Sequence, residues 1–328
     1  MKVCLVAGAF PPERCRTGEH TDCLARHLAE LGVDVHVVTA GPSAAGRGFS
    51  VHRVAFGWGV GRAACAAVRA IAPDVVHVQY PAARWRRRGV LAHLAILLRM
   101  PNCKTVLTLH GYASAGLIGR LRQLSLAAAA SSVIATNTND FHRLCRAAFW
   151  KKDHIHCIPA ASSVAPPGSV FDRQSRRRMF GADSRSFVIC FLGSLHPGKG
   201  IENLIDAFGI VCRSKLNARL VIIGSTIPSQ TLFGALLRRR IIDAGLADKV
   251  FISGFVPSGE ISEWLLASDV CVLPSRTAAT RGELLLTALR HGLPVITAAP
   301  IALPPGLIAE ENMVLVSAGE AGKIAESI

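Results

Sequence analysis

Long apolar runs are the first thing this chain of 328 residues lacks. Half of it is hydrophobic (50%), yet no run reaches the roughly 18 to 20 uninterrupted residues that a membrane-spanning helix needs. The opening, Met1-Lys2-Val3-Cys4-Leu5-Val6-Ala7-Gly8, is too short for the apolar core of a secretory signal and passes straight into Pro11-Pro12. It reads as a first buried strand. Paired cysteines are missing as well. The 10 cysteines include no Cys-x-x-Cys, and several sit in apolar runs such as Val188-Ile189-Cys190-Phe191. That pattern fits small buried hydrophobes in a reducing compartment rather than a disulfide framework or a zinc site. The 12 histidines have no metal-ligand spacing. From these absences we expect a cytoplasmic protein with no span and no resident metal.

Acidic residues are the scarce charge, 22 against 37 Lys+Arg, for a net +15. The excess gathers in Arg84-Trp85-Arg86-Arg87-Arg88, in Arg173 with Arg176-Arg177-Arg178, and in Arg238-Arg239-Arg240. Such knots suit a polyanion (nucleic acid, acidic polymer or anionic membrane) and equally a solvated arginine-rich surface. After the first knot come Val90, Leu91, Leu94, Ile96, Leu97 and Leu98, a helix-like apolar run. Cations and Trp85 beside an apolar face are what a peripheral contact with an anionic membrane requires, and a buried helix behind a charged loop reads the same way. A nucleic-acid reading rests on charge alone, with no helix-turn-helix, zinc finger or RNP-type aromatic strand, and ranks last.

What is present is alternation. Residues 2–7 read as a strand, 20–32 as an amphipathic helix and 33–39 as a second strand. Further strands are expected at 75–78, 105–109 and 132–135, with helices near 60–71, 89–99, 116–130 and 139–148. From 157 to 186 the pattern fails in a small, polar, proline-containing and then basic stretch. A second series follows, with strands at 187–193, 219–224, 250–252, 270–273 and 294–297 and helices at 201–213, 230–244, 259–267 and 282–291. The fold class is therefore α/β, with two tandem doubly wound Rossmann-like domains at 1–165 and 187–328, a linker at 166–186, and a ligand cleft between the carboxyl ends of the sheets.

The stretch Phe187-Val-Ile-Cys-Phe-Leu-Gly193-Ser194-Leu195-His196-Pro197-Gly198-Lys199-Gly200 has phosphate-binding character: a strand run, a Gly-bracketed turn and a helical pattern of Ile201, Leu204, Ile205 and Phe208. Backbone N–H groups and a helix N-terminus then point at one place, with Lys199 as a mobile positive charge. An ordinary strand-to-helix turn with a solvated lysine has the same sequence. His110 closes a strand run and precedes Gly111, which places it at the carboxyl edge of the first sheet, either facing a ligand or bonded into the core.

These segments together resemble the GT-B retaining glycosyltransferases of family 4, over nearly the whole chain. The similarity is carried by Phe10-Pro-Pro-Glu-Arg-Cys15-Arg-Thr-Gly18-Glu19-His20-Thr21, Asp74-Val-Val-His-Val-Gln79-Tyr80, Thr108-Leu-His110-Gly-Tyr112 and Gly193 to Gly200. It continues through Leu220-Val-Ile-Ile-Gly224, Val250-Phe-Ile-Ser-Gly254-Phe-Val256, Ala267-Ser-Asp269-Val-Cys-Val-Leu-Pro274-Ser275 and Ala288-Leu-Arg-His-Gly292-Leu-Pro294-Val295-Ile296. The resemblance implies an enzyme that moves a sugar, with retention, from a nucleotide-diphosphate donor to a carbohydrate or lipid-linked acceptor, in polysaccharide biosynthesis. It implies neither a cofactor nor a metal. Donor contacts fall on Gly18, Gly193, Ser194, Lys199, Val256, Arg281, Gly282, Glu283 and Thr287, and His110 contacts the transferred sugar as the catalytic residue. Glu19 and His20 belong to the acceptor side or its loop.

Two departures stand out. The first member of the family's diphosphate-binding pair falls on Ser194, with His196 or Arg281 as substitutes. The later of the family's two glutamates falls on Thr287, and the earlier on Ala278 or Ala279, as in a bacterial subgroup with Arg-Gly before an apolar helix. There Gly282 admits a close backbone approach, Arg281 stands beside the diphosphate, and Glu283 either complements the helix dipole or binds ligand. The chain also stops where family members usually continue, which suggests a truncated end. The alternative function is a non-catalytic GT-B relative that binds glycans or polyanions.

Overall fold

The computed structural model describes residues 1–328 apart from 14, 41–47, 55–59, 81–92, 94–95, 98–102, 114, 161, 163, 165–170, 215–216, 227–229, 276–281 and 300–306. The chain divides into two compact units, Met1–Ala160 and Ala161–Ile328.

The first unit is built on a parallel sheet of β1 (Lys2–Ala7), β2 (Asp34–Thr39), β3 (Ser50–Arg53), β4 (Val75–Tyr80), β5 (Lys104–Leu109), β6 (Ser132–Ala135) and β7 (Ile155–Cys157), in the order β3-β2-β1-β4-β5-β6-β7. Its described helices are α1 (Arg16–Glu30), α2 (Val60–Ile71), α3 (Leu117–Ala129) and α4 (Thr138–Ala147). Strand β1 is apolar from Val3 to Ala7 because both faces are covered. Cys4 and Val6 enter one core with Val38, Val76 and Leu107, while Val3 and Leu5 enter the other with Phe10, Ala25 and Val35.

In the second unit, β8 (Phe187–Leu192), β9 (Ala218–Ile223), β10 (Val250–Gly254), β11 (Val270–Leu273), β12 (Val295–Ala299) and β13 (Val314–Ser317) pair in parallel in the order β10-β9-β8-β11-β12-β13. Around them lie α5 (Arg173–Arg178), α6 (Ile201–Arg213), α7 (Thr231–Asp243), α8 (Ser258–Leu266), α9 (Gly282–Arg290) and α10 (Ala321–Ser327). The expected face of α6, Ile201, Leu204, Ile205 and Phe208, is fully buried. Burial of each such side chain contributes roughly 1.5–3 kcal/mol. Both are doubly wound sheets, whose strand order reverses between β1 and β4 and between β8 and β11. In such sheets ligands bind at the carboxyl ends of the strands on either side of that reversal.

The described part of the stretch expected to be a linker, 171–186, is folded. Asp172 caps α5 by accepting from the backbone N–H groups of Gln174 and Ser175. Arg177, 4% exposed, forks onto both oxygens of Asp269 at 2.8 and 2.7 Å and donates to the Ala267 carbonyl at 2.9 Å. Arg173 also reaches Asp269, at 2.6 Å, and Arg176 pairs with Glu263 and lies 5.1 Å over the Trp264 ring. The second basic knot is thus an ion-paired fastening within its unit, not a polyanion surface. In the third, Arg240 holds Asp206 at 2.8 and 2.6 Å and Arg239 holds Asp243 at 3.0 Å. The first knot and most of the helix expected at 89–99 lie outside the described residues.

Helix α1 starts at Arg16, so Gly18, Glu19 and His20 stand in its opening turns rather than in a loop. Cysteine burial is also less uniform than expected, with Cys4, Cys65, Cys190 and Cys271 buried and the others partly exposed. Among the described residues no helix is long and apolar enough to cross a membrane, and no group of three or more His, Cys, Asp or Glu could hold a metal ion.

Candidate functional site

In the second unit, chemistry gathers where β8 and β11 end. Strand β8 runs into Gly193, at φ +142°, where a Cβ would stand 3.3 Å from Leu284 Cδ1 in the first turn of α9. A 3-10 turn, Pro197–Lys199, follows, closed by Gly200 in the left-handed region at φ +69°. A side chain at Gly200 is excluded, because its Cβ would lie 2.3 Å from the Pro274 carbonyl oxygen beyond β11. Ser275 Oγ donates to the Gly198 carbonyl at 3.2 Å, tying the two strand ends together. Helix α6 begins directly after Gly200, and α9 opens at Gly282. The N-terminal turns of two helices, with their backbone N–H groups and positive dipole ends, therefore adjoin one glycine-rich turn.

Lys199 is only 8% exposed, which departs from the alternative of a solvated lysine on an ordinary turn. Ser194 is exposed, and His196 is exposed while its Nδ1 accepts the Gly198 N–H at 3.0 Å and so caps the turn. Val256 is half-buried against the core below β10. Glu283 lies in the first turn of α9. Thr287 stands where the resemblance puts the later of the family's two glutamates. It is 2% exposed, its hydroxyl set between Ser162 Oγ at 2.9 Å and the Glu283 carbonyl at 2.7 Å. Arg281, Ala278 and Ala279 lie outside the described residues.

Beside this turn is a cavity of about 330 Å³, within the size range of small-molecule sites. Leu195 belongs to both the turn and the cavity wall, which is completed by Ser225, Thr226, Thr231, Arg238 and Gly254 among others. Sequence reading missed Thr226, Thr231 and Arg238. Gly234 in α7 was a usable signal: a Cβ there would stand 2.7 Å from Thr226 Cγ2, so the glycine lets the helix close over the loop after β9 without displacing that side chain.

In the first unit, the carboxyl edge of the sheet carries histidines. Gly18 lets α1 approach that edge, since a Cβ would lie 2.7 Å from the Ala9 carbonyl oxygen. The approach brings the His20 ring edge to face with that of His110, centroids 5.0 Å apart. His110 Nε2 lies 2.9 Å from Gln79 Oε1, Gln79 Nε2 lies 3.1 Å from His77 Nε2, and His77 Nε2 lies 2.7 Å from Thr108 Oγ1. Burial first, and then the charge of His20, push the His77 imidazole down to about 4. The loop after His110 is anchored by Asp140, which accepts from the N–H groups of Gly111 at 3.2 Å and Ala113 at 2.6 Å. Glu19 is placed one residue before His20 on α1.

Residues 17–161 match the glycosyl transferase 4-like domain, and residues 172–328 match glycosyl transferases group 1. Each match fills one of the two units, in the order expected of the two halves. The chain belongs to the group 1, family 4-like glycosyltransferases.

A family relative, mannosylfructose-phosphate synthase of Agrobacterium fabrum, is 32% identical over 169 residues, covering 50% of this chain and 37% of the relative. The GDP-mannose-dependent alpha-(1-6)-phosphatidylinositol monomannoside mannosyltransferase of Mycobacterium tuberculosis is 28% identical over 185 residues, covering 52% of this chain and 46% of the relative. The chain thus spans less than half the length of these curated relatives. HepE of Anabaena, solved in complex with UDP, shares the fold with a TM-score of 0.75 at 18% identity, over 99% of this chain and 88% of HepE.

Proposed function

We propose that this family member transfers a sugar from a nucleoside-diphosphate donor to a hydroxyl of a carbohydrate or lipid-linked acceptor. One observation carries the reading: a glycine-rich turn with a buried lysine and two adjoining helix N-termini shares a wall with a cavity of about 330 Å³. The cavity takes the nucleoside, and Gly193 to Gly200 takes the diphosphate. Lys199 and the first turns of α6 and α9 stabilise the negative charge that grows on the departing diphosphate, and stabilisation of this kind lowers the barrier to transfer more than any other single effect. The bond from the anomeric carbon to the diphosphate oxygen breaks, the bond to the acceptor oxygen forms, and the hydroxyl proton passes to the leaving phosphate oxygen. Retention follows from the family resemblance. No metal is required, because fixed positive charge already stands at the diphosphate; transfer therefore persists in EDTA. His110 meets the transferring sugar, and the protein works at the surface of an anionic membrane when the acceptor is lipid-linked.

A thermal-shift and calorimetric panel of UDP, GDP, ADP and their sugars, followed by chromatography of donor hydrolysis, tests this. Stabilisation by a nucleoside diphosphate and release of free sugar are expected, with His110→Ala depressing turnover more than donor affinity. A panel with no binder removes the donor site. Binding without turnover on any sugar favours the second reading, a non-catalytic relative. Thr287, turned inward where the family has a carboxylate, supports that reading.

A further inference from the structure

Gln79 lies on β4 between two histidines, is fully buried at 0% exposed, and plays no part in the assignments above. Its amide nitrogen faces His77 Nε2 at 3.1 Å and its amide oxygen faces His110 Nε2 at 2.9 Å. An amide nitrogen only donates and an amide oxygen only accepts. His77 Nε2 must then carry a lone pair, and His110 Nε2 must carry a proton. Turning the amide over would reverse both requirements together, so the rings cannot choose independently.

We propose that Gln79 is a positioning residue that couples these two rings and holds His110 in the Nε2–H form, leaving the lone pair of its neutral ring on Nδ1. Burial keeps His77 neutral, so one of its ring nitrogens carries a lone pair; with the Gln79 amide nitrogen 3.1 Å from Nε2 that lone pair is on Nε2, where the Thr108 hydroxyl at 2.7 Å can also donate. Other ionisable groups around the pair are His20 from α1, Tyr80 at the end of β4, Tyr112 in the loop after β5, and Asp140 from α4, which holds that loop. In the Nε2–H form the neutral His110 ring offers a donor at Nε2 and an acceptor at Nδ1.

The test is long-range ¹H–¹⁵N correlation NMR on the full chain labelled at histidine nitrogens, which separates Nδ1–H, Nε2–H and imidazolium rings, with signals assigned through His77→Asn and His110→Asn. At pH 7.5 the unmutated protein should show His110 as Nε2–H and His77 as Nδ1–H. Gln79→Leu should turn the His110 signal into a mixture of forms. Gln79→Glu should move its titration to higher pH, since a carboxylate favours the imidazolium. A His110 ring in the Nδ1–H form in the unmutated protein overturns the proposal, as do His110 signals unchanged in both variants. With a turned-over donor, Gln79→Glu should also shift the acid limb of the rate profile upward. Absence of turnover on every donor counts against the glycosyltransferase reading alone, and the NMR result still decides the role of Gln79.

Discussion

At the scale of single residues, Lys199 shows how far local pattern reaches. A lysine bracketed by Gly198 and Gly200 was legible as an anion ligand, but its burial was not, because burial is decided by segments far away in sequence, such as the one carrying Pro274 that packs on the adjoining Gly200. Replacing it by alanine would mix lost charge with lost packing, so Lys199→Met is the cleaner variant. We expect it to fold with a melting temperature close to that of the parent and to weaken nucleoside-diphosphate binding by about 1.5–3 kcal/mol, the contribution of a charged hydrogen bond. Calorimetry with whichever diphosphate stabilises the parent checks this, and unchanged affinity takes Lys199 out of the site. His77 is the converse case. Nothing in Val-Val-His-Val-Gln marks it as a buried, proton-resistant ring; only the neighbours brought by β5 and α1 do.

Among elements, the short helix α5 carries the sharpest contrast between pattern and structure. Four arginines within six residues suit a polyanion or a solvated surface equally, yet Arg173, Arg176 and Arg177 are paired to Asp269 and Glu263, carboxylates about 90 residues away. Asp269 also accepts the Val188 N–H at 2.7 Å, so one carboxylate joins α5 to the edges of β8 and β11. Removing its buried partner, Arg177, leaves Asp269 with one guanidinium in place of two. Arg177→Ala should cost roughly 3 kcal/mol in urea denaturation, at the low end for broken buried pairs because Asp269 keeps Arg173 and some solvent. A loss below about 1 kcal/mol would return α5 to the status of a surface knot.

For the whole molecule, pH enters through His77. Its folded-state pKa is depressed from 6.5 to about 4, so between those values the unfolded chain binds a proton that the folded chain refuses. Stability is then fully present above pH 6.5 and declines as pH falls toward 4, by up to about 3 kcal/mol if the shift holds in full. Melts from pH 7.5 to 4.5 should show this acid slope in the parent and a shallower one in His77→Asn; equal slopes would place the acid sensitivity elsewhere. The net charge of +15 also acts at this scale. With the second and third knots largely ion-paired, membrane association is expected to depend on Arg84, Arg86, Arg87 and Arg88. Co-sedimentation with acidic liposomes should fall steeply with salt and vanish when those four become serine. Equal sedimentation of the two proteins would remove that reading.

By itself the sequence determined the two alternating series, the strands on which they are built, the glycine turn after β8 and the position of His110 at a strand end. These are properties of hydrophobic period and backbone permissiveness, which act over a few residues and are written locally. It did not show the short edge strands β3, β7 and β13, which are three or four residues long and carry too little period to read. What only the tertiary structure decided is which side chains meet. Thr287 turns inward to Ser162, the arginines of α5 find their carboxylates, Leu195 and Arg238 come to line one cavity, and Gln79 stands between two histidines. Each of these depends on register between strands and on helices closing over them. Hydrogen bonds and ion pairs act over about 3 Å in space, whatever the separation along the chain.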